Sequence, residues 1–295
     1  MKQPVFTGAA TAMVAPYNER GLDLDAMARL IDRQLAAGVS ALVINGTTGE
    51  AATLTEEERR ALLEFSVSYA GGRVKIIAGV GGNNTDAAIR AARQAESLGA
   101  DGLLLTTPYY NKSNAEGLRL HFLRVADSAG LPLIVYNVPG RTGVACTPEL
   151  YSSLAEHPRI NGVKEASGDI SLVSRTRRQC GDALNIWSGN DDQTLPMMAL
   201  GALGVISVAS NVVPRQMSEL CGSVLAGDLE GALAGHDACS ELFELLFSEV
   251  NPIPVKTALH RMGLLPLVFR LPLWKMSAGH EAALYRCLDE MNLLS

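Results

Sequence analysis

The stretch Ala36-Ala37-Gly38-Val39-Ser40-Ala41-Leu42-Val43-Ile44 decides the fold, because it reads as a helix end, a glycine stop and then a continuous apolar strand. A glycine just past a helix takes the left-handed backbone that closes the last turn, with no Cβ to oppose it. The same order returns at Leu98-Gly99 into Leu103-Leu104-Leu105, and at Leu200-Gly201 into Val205-Ile206-Ser207-Val208. Helical patterns lie between such strands. Their start signals are plain: Thr55-Glu56-Glu57-Glu58 has the form of a capping box, and Thr147-Pro148 places an N-cap before a proline at the first helical position. The chain therefore alternates strand and helix.

Working outward, apolar runs mark eight candidate strands near residues 7–15, 41–46, 75–80, 102–107, 132–138, 160–166, 184–189 and 204–209. Parallel strands covered on both faces read as unbroken apolar runs, and eight of them with intervening helices predict an α/β protein of the (β/α)8 TIM-barrel type. After residue 210 the pattern becomes purely helical, over 228–248, a shorter stretch after Asn251-Pro252-Ile253-Pro254, and 278–293. The expected organisation is a barrel with the active site over residues 1–226 and a small C-terminal helical appendage over 227–295.

At 295 residues and 47% hydrophobic, the chain has enough apolar material for a large core. A formal net charge of -6 with interleaved signs argues against nucleic acid as a partner. Arg175, Arg177 and Arg178 read as a solvated helix face. The 5 cysteines are scattered and lack CxxC spacing, which points to free thiols in a reducing, cytoplasmic setting. Lys2 followed by the small apolar run Gly8 to Ala15 loosely imitates a secretory signal, but Pro4 and the threonines interrupt it, so it reads as the first strand. No run approaches the length of a membrane span.

Lys164 stands out because it interrupts the buried-looking run Ile160-Asn161-Gly162-Val163-Lys164-Glu165-Ala166-Ser167. Burial disfavours an ammonium ion, so a lysine here is expected to titrate toward roughly 7 to 8 rather than about 10.4. That would make it a Schiff-base nucleophile. With residue 164 facing inward, strand alternation puts Gly162, Ala166 and Gly168 on its side, leaving space for a bound molecule, and turns Val163 and Glu165 away. Taken alone, the strand equally fits a lysine with a buried stem and its head in water.

The C-terminal ends of barrel strands are where such folds place their chemistry. After the second strand comes Gly46-Thr47-Thr48-Gly49-Glu50, suited to gripping a carboxylate through hydroxyls and backbone N–H groups, or simply a capped turn. The fourth strand ends in Thr106-Thr107-Pro108-Tyr109-Tyr110 and the fifth in Val135-Tyr136-Asn137-Val138-Pro139-Gly140-Arg141-Thr142-Gly143. Tyr136 fits a proton relay or plain packing; Arg141 offers a planar fork to a carboxylate or is an exposed loop residue. His121, His157, His236, His260 and His280 show no metal-binding spacing, and Asn190-Asp191-Asp192 reads as the N-cap of the next helix rather than a cation site. No metal is expected.

Together with Gly162-Val163-Lys164-Glu165, Ser188-Gly189-Asn190-Asp191 and Asn251-Pro252-Ile253-Pro254-Val255-Lys256, these motifs resemble the dihydrodipicolinate synthase family from the first strand into the C-terminal helices. The lysine, the tyrosine and the Gly-Thr-Thr-Gly-Glu loop are shared with the wider class I pyruvate aldolases, including N-acetylneuraminate lyase, while the Arg-Thr-Gly turn after Tyr136 carries the narrower likeness. The resemblance implies condensation of pyruvate with aspartate 4-semialdehyde, on the route to lysine and diaminopimelate, without a cofactor. It implies that Lys164 forms the imine, that Tyr136, Thr48 and Tyr110 relay protons, and that Thr47 and Thr48 bind the pyruvate carboxylate. Arg141 would bind the carboxylate of the aldehyde, with Gly189 and Ile206 also against substrate. Tyr110 would enter a neighbouring subunit's site, so a homotetramer is expected.

The chemistry makes its own demand. At the reference pKa the free amine is on the order of one lysine in a thousand near neutrality, so the site must disfavour the ammonium by about 4 kcal/mol, or about three pKa units. One departure concerns regulation: lysine-inhibited members carry His at the position of Glu56 and Glu at that of Ala87, although Asn83 and Tyr109 match. Weak or absent lysine feedback is expected. The competing readings are an aldolase or lyase for a sugar-derived 2-keto acid, such as N-acetylneuraminate or a 2-keto-3-deoxy sugar acid, and a non-catalytic barrel that binds a small ligand.

Overall fold

The computed structural model describes residues 2–294. Among the described residues, eight parallel strands close into a barrel: β1 (Gly8–Ala12), β2 (Ala41–Ile44), β3 (Lys75–Gly79), β4 (Gly102–Thr106), β5 (Leu133–Asn137), β6 (Ile160–Glu165), β7 (Asn185–Ser188) and β8 (Gly204–Ser207). Closure comes from β1, which pairs with β2 on one side and β8 on the other, with Ala10 opposite both Ala41 and Ile206. All eight strands fall inside the apolar runs of the sequence, trimmed where the runs extend into loops. The run from Gly8 is β1. A short antiparallel ribbon, Tyr17–Asn18 with Gly21–Leu22, follows it and has no counterpart in the apolar pattern.

Between the strands lie α1 (Leu24–Ala36), α2 (Glu56–Ala70), α3 (Thr85–Ser97), α4 (Ala115–Asp127), α5 (Pro148–Ala155), α6 (Ile170–Cys180) and α7 (Thr194–Ala199). After β8 come α8 (Pro214–Ala226), α9 (Leu229–Leu246), α10 (Ile253–Arg261) and α11 (Ala278–Glu290). The local signals act as their chemistry dictates. Gly38, Gly99 and Gly201 have φ of +73°, +86° and +94°. Thr55 accepts from the Glu58 amide at 3.2 Å while Glu58 accepts from the Thr55 amide at 3.0 Å, so both halves of the capping box are made. Thr147 accepts from the Leu150 amide at 3.3 Å.

Two apolar layers result. Outward-facing strand residues such as Leu42, Leu105, Val135 and Val163 pack under the helices, whereas Ala10, Ala12, Val43, Ile77, Leu104, Ile134, Tyr136, Trp187 and Ile206 form a separate cluster inside the barrel. Phe6 and Trp187 stack with ring centroids 5.0 Å apart and fill the interior at the N-terminal end of the strands. No helix among the described residues is long and apolar enough to cross a membrane.

Candidate active site

Which way Lys164 points is settled by an irregularity in β6. Leu133 pairs with Ile160 but the next residue, Ile134, pairs with Gly162, so Asn161 is an extra residue opposite the β5 strand. A one-residue slip turns a strand's side chains to the other face, and bulges are a common way of re-aiming a side chain beside a site. Asn161 is anchored on its own account: its amide donates to the Gln3 carbonyl at 2.8 Å and its oxygen accepts from Asn185 at 3.1 Å. Beyond it, Lys164 stands opposite Tyr136 on β5 and Trp187 on β7. Val163 belongs to the outer layer.

Lys164 is 4% exposed, with its Nζ 4.3 Å from the centre of the Tyr136 ring. Burial lowers its amine to about 7; the Asp191 carboxylate opposes that shift and the Arg141 guanidinium adds to it. The amine is thus brought into the range where a nucleophilic lysine works at neutral pH. Burial likewise raises the Tyr136 phenol to about 12, against the pull of Arg141 and with a contribution from Glu165, so the ring keeps its proton. Protonated phenol is both donor and acceptor.

A cavity of about 190 Å³ opens beside the amine, lined by Thr47, Thr48, Tyr136, Arg141, Lys164 and Gly189 among others. Of the residues singled out from sequence, these six converge here. Gly189 is required by space: a Cβ would stand 2.7 Å from the Ala166 Cβ and 3.0 Å from the Lys164 Cε. The small side chains of Ala12 and Val43 line the cavity from β1 and β2 and leave its volume open. A second cavity of about 370 Å³ shares Gly46, Thr47, Tyr136 and Arg141 and extends toward Thr106 and Tyr109.

Several expectations are placed differently. Gly162 does share the lysine's side, but its space is filled by Trp187, whose ring would lie 2.6 Å from a Cβ there, so it contributes nothing to the cavity. Ile206 is wholly buried inside the barrel and is not part of the cavity wall; Val208, two residues on, is. Tyr110 is 91% exposed, in a left-handed conformation with φ +68°, and within one chain it is not brought to Lys164. Asp191 does not cap the following helix, whose N-cap is Gln193. Its carboxylate instead crosses to the end of β8 and accepts from the amides of Val208 and Ala209 at 3.1 and 2.9 Å.

The outward-facing Glu165 is buried as well, accepting from Asn137 at 2.9 and 3.0 Å, Tyr151 at 2.7 Å and the Ser167 amide at 2.8 Å. These bonds lock β5 to β6 one residue beyond the Tyr136–Lys164 pair. Asn251 and Phe247 also line the cavity, from the segment read as an appendage. Asn251 donates to the Thr48 hydroxyl at 3.0 Å and accepts from Arg141 at its carbonyl, 3.1 Å. The Asn-Pro-Ile-Pro-Val-Lys motif was the available signal, since it sets polar and charged residues in an otherwise apolar run. Glu56, Asn83, Ala87 and Tyr109, singled out for regulation, line a third cavity together with Arg59 and Arg90; it shares Arg59 and Tyr109 with the second cavity and no residue with the one beside Lys164.

The model of the dihydrodipicolinate synthetase family matches residues 5–291. A protein of Exiguobacterium sp. named 4-hydroxy-tetrahydrodipicolinate synthase is 48% identical over 289 residues, covering 98% of this chain and 99% of the relative. One of the same name from Thermodesulfovibrio yellowstonii is 45% identical over 290 residues, covering 98% of this chain and 100% of its own length. The crystal structure of dihydrodipicolinate synthase from Aquifex aeolicus superposes with a TM-score of 0.96 at 43% identity, covering 98% of this chain and 99% of that one.

Proposed function

The chain belongs to the dihydrodipicolinate synthetase family, and on that premise we propose that it condenses pyruvate with aspartate 4-semialdehyde to give 4-hydroxy-tetrahydrodipicolinate. The observation that carries the reading is the buried Lys164, lowered to about 7 and facing a cavity lined by two threonine hydroxyls and an arginine. Its neutral amine attacks the pyruvate ketone and water leaves, forming a protonated imine. That cation draws electrons from the adjacent methyl group, which gives up a proton and becomes an enamine carbon. This carbon attacks the aldehyde, whose oxygen takes up a proton. The amine of the semialdehyde then displaces Lys164 from the imine carbon and closes the ring.

Thr47 and Thr48 hold the pyruvate carboxylate, and Arg141 that of the semialdehyde, for which a planar guanidinium is the matching donor. Tyr136 and Thr48 pass protons to and from the reacting carbons and oxygens. Tyr110 completes the relay from a second copy of the chain, and its exposed, left-handed placement is what a residue covered by a partner would have. A homotetramer built from such pairs is part of this reading, as is cytoplasmic operation. With alanine at position 87 and glutamate at 56, lysine feedback is weak or absent; inhibition at sub-millimolar lysine would refute that.

Pyruvate with borohydride, followed by peptide mapping, tests the chemistry: an adduct on Lys164 is expected, and no adduct overturns it. Turnover of aspartate 4-semialdehyde, set beside N-acetylneuraminate and 2-keto-3-deoxy sugar acids, tests the second substrate. Arg141→Ala is expected to damage semialdehyde turnover far more than pyruvate trapping.

A further inference from the structure

The turn from Gly46 to Glu50 carries Thr47 and Thr48 into the cavity, yet it is flanked by two residues in the left-handed region, Asn45 at φ +59° and Glu50 at φ +53°. A side chain with a Cβ is disfavoured there and persists where its surroundings hold it. Glu50 is held by Lys256 of α10, whose Nζ lies 2.6 Å from its Oε1, with both side chains 0% exposed. Lys256 also donates to the Val268 carbonyl at 2.7 Å and sits over the rings of Tyr17 and Phe269, at 4.4 and 5.2 Å from their centres.

Stability alone is a poor reason for such a pair. Removing two charges from water is costly, and a neutral, well-packed replacement often leaves a fold equally stable. What the pair does have is place. Five residues before Lys256, Asn251 donates to the Thr48 hydroxyl and accepts from Arg141, so one short stretch of chain touches the threonine turn twice and the arginine once.

We propose that Glu50 and Lys256 are positioning residues: their buried ion pair docks α10 onto the threonine turn and thereby fixes where Thr47 and Thr48 stand relative to Lys164. The inference rests on the reading of the cavity as a pyruvate imine site. Neither residue lines the cavity. Without the pair, Lys164 still forms an imine, but the grip on the carboxylate slackens.

The test is pyruvate titration of borohydride trapping, read by mass spectrometry on the whole chain, with thermal unfolding alongside. In Glu50→Gln/Lys256→Met both charges go, so no lone buried charge remains. The double variant is expected to melt within a few degrees of the unaltered protein and to reach the same maximal labelling of Lys164. Its half-saturating pyruvate concentration is expected to rise about tenfold, equivalent to about 1.4 kcal/mol. A folded double variant with unchanged half-saturation overturns the proposal, because the pair would then be structural only. Should that variant not fold, Glu50→Asp keeps the charge but shortens the arm; a raised half-saturation supports positioning and an unchanged one overturns it. If the unaltered protein itself gives no adduct, the imine reading and the pair's role fall together; normal labelling with an insensitive variant strikes the pair alone.

Discussion

The two ends of the barrel interior are built from opposite materials on the same strands. At the N-terminal end, Phe6 and Trp187 stack, the indole donates to the Phe6 carbonyl at 3.3 Å, and the ring occupies the room beside Gly162. At the other end, two residues along the same face of β6, Lys164 meets a cavity with hydroxyls, a phenol and a guanidinium around it. One alternation of a strand thus separates a packed plug from the lysine that faces the cavity. The plug bears on the chemistry because its rings fill the space below Lys164, and burial is what lowers the amine's pKa.

The comparison breaks hardest at its reactive end. Lys164→Ala is expected to abolish borohydride trapping of pyruvate and to lower turnover by at least about a thousandfold, since no neighbouring group replaces a covalent nucleophile. Turnover within tenfold of the unaltered protein would remove the lysine from the mechanism. At the packed end, Trp187→Ala is expected to cost about 3–5 kcal/mol of stability, measured by urea unfolding, while the folded fraction still labels at Lys164. The two variants should therefore separate folding from reaction.

Gly189→Ala sharpens the boundary between the ends. Its methyl would press on the Lys164 stem and Ala166, so turnover is expected to fall about 10- to 100-fold through misplacement of the amine, with about 1–3 kcal/mol of stability lost to the overpacking. Trapping at saturating pyruvate, compared with turnover, checks it.

Acidity gives a finer probe. Lys164 titrates at about 7 in the folded chain, so the initial trapping rate should climb with pH through that value, from about a tenth of its plateau at pH 6 to about nine tenths at pH 8. The sign for stability follows. Between about 7 and about 10.4 the unfolded chain holds a proton on this lysine that the folded chain does not, so stability should rise with pH across that window and lack this slope below it. Lys164→Met removes the rise. The smallest effect belongs to Asp191→Asn: the carboxylate favours the ammonium, so its loss should move the midpoint of the trapping profile below about 7 while the amides of Val208 and Ala209 keep an acceptor.

Much of this is legible in the sequence. The eight apolar runs and their glycine stops gave the strand order, because parallel strands buried on both faces cannot hide their composition. Lys164, Tyr136, Thr47, Thr48, Arg141 and Gly189 were legible because each follows or ends a strand, at the face where a barrel collects its loops. Gly162 does not leave the space its alternation suggests, because Trp187 fills it. Local alternation gives a residue's face but not its height within the barrel, and height separates the plug from the cavity.

The sequence by itself determined the barrel, the lysine proposed as nucleophile and the hydroxyls and guanidinium expected around it, since those follow from local periodicity and side-chain chemistry. Only the tertiary structure decided that the Asn161 bulge aims Lys164 inward, that Asp191 reaches across to the end of β8, and that Asn251, in the turn before α10, and Lys256 of α10 contact the threonine turn. Each of those joins residues distant in the chain, and contacts of that kind depend on how closed strands bring their ends together rather than on any neighbouring residue's preference.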